Sequence, residues 1–216
     1  PMRNLLPDLL HPRARLVRGR PKAMGMLEGL EPGFDAAICV GYHARAGALG
    51  VLSHSFMGHE IEDLWLDDRP AGEIGLVHAT AAALGVPMIL LTGDDAACAE
   101  LEGWAPGTAT VAVKKAKDRF AAELTPVAQA RAAIEAAAQA AVRQVRSGGT
   151  APDDAERTLA VRWQSSSVAS MLTGIPQVTL RDSRTVVATG PTPALFRLFG
   201  VFMRVATALT NQPPYC

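Results

Sequence analysis

Three short segments of this 216-residue chain follow apolar runs and carry groups that can hold a cation or move a proton. Gly41-Tyr42-His43-Ala44-Arg45 follows the run 35–40, Ser53-His54-Ser55 follows Val51-Leu52, and Thr92-Gly93-Asp94-Asp95 follows 87–91. Glu73 stands at the start of a predicted helix, after a polar turn. In an open α/β sheet, ligands bind beyond the carboxyl ends of the strands. Two histidines and several carboxylates therefore collect where they can converge. Imidazole and carboxylate together suit zinc, and a zinc site with an open position can activate water. Each group also has a plain structural role open to it. A histidine after a strand can be a hydrogen-bonded framework residue, Glu73 can complement a helix dipole, and Asp94-Asp95 can cap a helix. His11 and His59 fall in polar loops, and His78 falls mid-helix. The sequence has no HExxH, GxSxG or P-loop. Read from residues alone, this is an α/β protein with a candidate histidine–carboxylate site.

The elements that must position these groups alternate over the first two-thirds of the chain. Strands are predicted at 15–18, 35–41, 50–54, 63–67, 87–93 and 108–114. Helices are predicted at 21–30, 73–84 and 95–101. The runs 35–41 and 87–93 are continuously apolar, which predicts strands buried on both faces. A long alanine-rich helix over 125–146 has Thr125 as N-cap and Pro126 at its first position, and stops at Gly148-Gly149. The stretch 150–154 reads as a linker. Beyond it, strands at 158–163, 177–181 and 184–189 and helices at 167–172 and 192–209 predict a small α+β unit. The fold class is thus α/β, a mostly parallel sheet flanked by helices, followed by that unit. The expected division is a metal-binding catalytic domain over 1–150 and a smaller oligomerisation unit over 151–216.

Composition narrows the function. Lys+Arg and Asp+Glu balance at 21 each, so the basic footprint of a nucleic-acid binder is missing. A hydrophobic fraction of 49% with 19% charged residues excludes a disordered chain. No apolar run reaches the ~18 residues of a membrane span. Cys39, Cys98 and Cys216 form no CxxC pair, and their usage fits a reducing cytoplasm.

The string from Gly41 to Gly47, then Ser53-His54-Ser55-Phe56, Gly72-Glu73-Ile74-Gly75 and Leu91-Thr92-Gly93-Asp94-Asp95 resembles the zinc-dependent D-aminopeptidases encoded with bacterial dipeptide permeases. Met2-Arg3-Asn4-Leu5, Arg18-Gly19-Arg20-Pro21 and Thr110-Val111-Ala112-Val113-Lys114 extend the resemblance over essentially the whole chain. It implies two zinc ions per subunit, with His43 and Glu73 as ligands and His54 in catalysis rather than metal binding. It implies cleavage of an N-terminal D-amino acid from peptides or amides. It also implies a ring-shaped homo-oligomer, with a decamer among the options, in the cytoplasm. The family's further Asp, Glu and His ligands lie in motifs upstream of the Pro1-Met2-Arg3-Asn4 segment. The expectation is therefore a fragment that, expressed alone, aggregates and is inactive. The alternatives are a truncated, inactive oligomeric scaffold, or another α/β hydrolase or small-molecule-binding protein. The substrate-binding residues stay unassigned.

Overall fold

A computed structural model describes residues 5–145 and 149–210. Met2, Arg3, Asn4, Gly148 and Cys216, singled out in the sequence, lie outside the described residues.

Two sheets make the framework. The first has the order β1 (Ala37–Tyr42), β4 (Met88–Asp94), β5 (Ala109–Asp118) and β6 (Ala121–Leu124). β1, β4 and β5 run parallel, and β6 returns antiparallel to β5 as a hairpin. The second is an antiparallel sheet of order β3 (Arg69–Pro70), β2 (Ile61–Leu66), β7 (Glu156–Trp163), β9 (Thr185–Pro191) and β8 (Thr179–Leu180). The second sheet thus crosses residue 150, since β2, which carries β3 on its other edge, pairs with β7. The helices are α1 (Glu73–Ala83), α2 (Asp95–Trp104), α3 (Val127–Arg143), α4 (Ser166–Leu172) and α5 (Thr192–Thr210). α2 and α3 pack on β4 and β5, whereas α4 and α5 pack on the second sheet. α1 touches α2, β4 and α5 and so bridges the two layers.

One hydrophobic core joins both sheets. Leu91 of β4, Ile74, Leu76 and Val77 of α1, Leu64 of β2, Trp163 of β7 and Phe199 and Phe202 of α5 all belong to it. α5 is long and apolar enough, by length and composition, to cross a bilayer. Its buried stripe of Leu195, Phe196, Phe199, Phe202 and Ala206 instead recurs at helical spacing and packs into this core.

Several predicted elements take another form. The strand at 35–41 is not buried on both faces: β1 pairs only with β4 among the described residues, and Ile38 and Val40 are exposed at 41% and 65%. The segment 15–18 forms no strand. The helix at 21–30 reduces to one 3-10 turn, Gly25–Leu27, and Gly29 at φ +90° cannot continue it. The segment 50–54 is a loop whose amides bond elsewhere. The long helix begins at Val127 with Pro126 as its N-cap, one residue later than Thr125 would place it.

Candidate functional site

The site is built on a loop, 43–56, and on the first residue of α1. β1 ends at Tyr42, so His43 emerges beyond its carboxyl end, as the strand topology requires of a ligand site. The loop has no ladder to satisfy its backbone, so side chains and carbonyls do so. Val51 N–H donates to Asp94 Oδ2 at 2.5 Å, Leu52 N–H to the Arg119 carbonyl at 2.8 Å, and Ala46 N–H to Ser55 Oγ at 3.1 Å. Asp94 is fully buried and also caps α2 through the Ala97 amide at 2.8 Å. Leu52 and Phe56 take φ of +53° and +54°, a left-handed conformation costly for side chains of this size. They flank the segment that carries His54.

The Ala44 carbonyl aims both imidazoles. It lies 3.1 Å from His43 Nδ1 and accepts the His54 amide at 3.2 Å. His54 Nδ1 in turn lies 2.6 Å from the Leu52 carbonyl. A carbonyl can only accept, so both Nδ1 atoms carry the proton and both Nε2 atoms present a lone pair. The two rings stack with centroids 3.9 Å apart and planes 18° apart. Glu73 Oε1 lies 3.3 Å from His43 Nε2 and 3.7 Å from His54 Nε2. The same oxygen accepts the Phe56 amide at 2.9 Å.

These three residues offer ligand atoms within 4.8 Å of one another, and they form the single such group among the described residues. Two imidazole lone pairs and a carboxylate oxygen facing each other repel unless a cation or a proton lies between them. The donor set fits zinc. Without a metal, a proton fills that role. Burial opposes charge on His43, but its hydrogen bond to Glu73 and the carboxylate's charge outweigh this and raise its pKa. Burial likewise pushes Glu73 up, but the His43 bond and charge and the Phe56 amide bring it below the ordinary range.

A clamp sets the distance between the loop and α1. Glu100 of α2 accepts the Arg45 amide at 2.7 Å through Oε2, whereas its buried Oε1 has no hydrogen-bond partner among the described residues. Burial, only partly offset by the Arg45 bond and charge, raises the Glu100 pKa. Gly72, the N-cap of α1, fits beneath the clamp: a Cβ there would stand 2.5 Å from Arg45 Cβ and 3.0 Å from Glu100 Oε1. The Glu73 backbone is thereby pressed against the strand-end that carries His43.

A family model described as D-aminopeptidase matches residues 1–200. The chain belongs to the D-aminopeptidase family. A D-aminopeptidase of Bacillus subtilis (strain 168) is 34% identical over 187 residues, which is 86% of this chain and 68% of that protein. A solved structure described as the Zn-dependent D-aminopeptidase DppA from Bacillus subtilis, a self-compartmentalizing protease, matches with a TM-score of 0.86 at 29% identity. It covers 100% of this chain and 77% of its own.

Within this D-aminopeptidase fold, His43, His54 and Glu73 come together. Asp94 and Asp95 do not join them: Asp94 caps α2 and holds Val51, while Asp95 accepts the Ala116 amide at 2.8 Å. His78 lies in α1, outside the group, and burial, with the nearby Arg69, lowers its pKa. Cys39 is buried, which pushes its thiol up to about 11, so it behaves as a small core residue. Sequence reasoning missed Glu100, Arg119 and the Ala44 carbonyl. Glu100 and Arg119 carry no motif of their own, and a backbone carbonyl has no letter in the sequence.

Proposed function

We propose that this chain is a zinc-dependent aminopeptidase that removes N-terminal D-amino acids from peptides or amides, with His43 and Glu73 as metal ligands and His54 as the proton-transfer group. The observation that carries this reading is the convergence of His43, His54 and Glu73, whose candidate ligand atoms lie within 4.8 Å of one another, with the Nδ1 of each imidazole directed at a backbone carbonyl. Zinc bound there supplies Lewis acidity toward the scissile carbonyl and lowers the pKa of water.

The chain's own residues do the rest. His43 and Glu73 are the better enclosed donors, with side chains 21% and 11% exposed against 30% for His54. His54 lines an open cleft and is the more exposed of the two imidazoles, which places it better to reach a substrate. With Nδ1–H fixed on Leu52, its Nε2 accepts the proton of the attacking water and returns it to the leaving amine. His43 and Glu73 supply two donors to one ion, and its remaining positions need water or further donors. The second ion implied by the resemblance needs further donors. The assembly we propose is a ring-shaped homo-oligomer in the cytoplasm, in keeping with the description of DppA as self-compartmentalizing and with the free thiols of Cys39 and Cys98.

The test is zinc titration of the purified chain with an assay on D-alanyl and L-alanyl anilides. Zinc-dependent release favouring the D-isomer, lost on chelation, is expected once a segment bearing the upstream Asp, Glu and His ligands is restored, whereas the 216 residues alone are expected to be inactive. His43→Ala and Glu73→Ala should each weaken zinc by more than the about 10- to 100-fold typical of an outer-shell partner. Turnover that survives metal removal, or zinc affinity unchanged in both variants, overturns the reading.

A further inference from the structure

Beside the metal site lies a cleft of about 390 Å³ lined by Leu49, Ser53, His54, Gly58 and Arg119, among others. That volume lies in the range of small-molecule sites, ~300–1,000 Å³. Among the described residues no carboxylate lines it, and the full charge there is the Arg119 guanidinium. Arg119 Nε is buried and has no hydrogen-bond partner among the described residues. The one contact described for the guanidinium is a loose one with the Phe120 ring, 5.4 Å from the centroid. Among the described residues no ion pair joins it to the adjacent Asp118, whose Oδ1 accepts the Phe120 amide at 3.2 Å.

The backbone that carries this cation is tied to His54. The Arg119 carbonyl accepts the Leu52 amide at 2.8 Å, and the Leu52 carbonyl accepts from His54 Nδ1 at 2.6 Å. The β5–β6 turn and the imidazole are therefore tied through one residue. A guanidinium fork matches a carboxylate with two parallel hydrogen bonds.

We propose that Arg119 is a specificity-determining residue that receives the C-terminal carboxylate of a short peptide, so that the cleft favours peptides with a free carboxyl end over the same peptides amidated. This rests on the aminopeptidase reading, which places the scissile bond at the metal site.

The two can be tested apart. An uncleavable isostere of a D-alanyl dipeptide, its scissile carbonyl replaced by methylene, is prepared as acid and as C-terminal amide. Binding of each to the zinc-supplemented full chain is measured by calorimetry. The acid should bind about 10- to 100-fold more tightly than the amide, as expected of hydrogen bonds to a charged group. Arg119→Met should abolish that preference and leave the amide Kd unchanged, which also shows that the variant is folded. Arg119→Lys, with charge but no fork, should fall between. Equal or undetectable binding of acid and amide to the unaltered chain, or an acid preference that survives in Arg119→Met, overturns the proposal. An acid preference lost in Arg119→Met, alongside no zinc-dependent cleavage of the parent peptides once the upstream segment is restored, overturns the aminopeptidase reading and leaves the carboxylate site standing.

Discussion

The two stacked imidazoles are near-equivalent in geometry, yet their surroundings differ. His43 faces Glu73 at 3.3 Å and is the more enclosed, whereas His54 lines the cleft. His54→Ala should leave zinc content, read by elemental analysis, nearly unchanged. It should lower turnover by about 10²- to 10⁴-fold, the usual worth of a general acid or base. Loss of zinc in that variant would make His54 a ligand. His43, His54 and Glu73 were legible in the sequence because imidazoles and carboxylates just past apolar runs are few. What aims them was not legible. The Ala44 carbonyl is common to every residue type, and its role arises only because the loop returns from Arg45 to His54.

At the scale of elements, the site depends on how closely α1 approaches the end of β1. Glu100 holds the Arg45 amide on one side of that contact, and Gly72 leaves room for it on the other. Glu100→Ala should orphan a half-buried amide, costing about 1–3 kcal/mol, and weaken zinc about 10- to 100-fold. Glu100→Gln keeps an oxygen acceptor at the same reach and should restore most of both. A thermal melt and a chelator-competition titration read the two effects. A melting temperature that falls while zinc affinity holds would reduce Glu100 to a framework residue. The elements themselves were unevenly legible. β4, α1 and α2 carry strong patterns and fall within a few residues of their predicted spans. β6 escaped notice because Asp118-Arg119-Phe120 lacks the Asn-Gly or Gly signals of a tight hairpin. The segment 50–54 has strand-like residues, but the bonds it makes to Asp94, Arg119 and Ala44 are incompatible with a ladder.

At the scale of the whole molecule, apolar surface is left uncovered. Leu124 of β6 and Val127 of α3 are 71% and 67% exposed. Isolated exposed apolar residues are ordinary, but neighbours at the start of a helix suit an interface. Multi-angle light scattering should return a multiple of 22.7 kDa, and the pair Leu124→Glu and Val127→Glu should lower that mass. A monomer mass for the unaltered chain would remove the ring assembly. The parallel first sheet and the antiparallel second were both legible as classes. That β2 leaves its neighbours in sequence to join β7 was not, since pairing across about a hundred residues leaves no local trace. The tethered loop 43–56 has a consequence for how this molecule opens. Its amides are bonded to Asp94, Arg119, Ala44 and Ser55 rather than to water, so it cannot fray residue by residue like an ordinary loop. It should open as one cooperative unit with the β5–β6 turn. The metal-binding geometry is then all present or all absent, and a fluctuation at Arg119 is felt at His43 without any movement of the sheet.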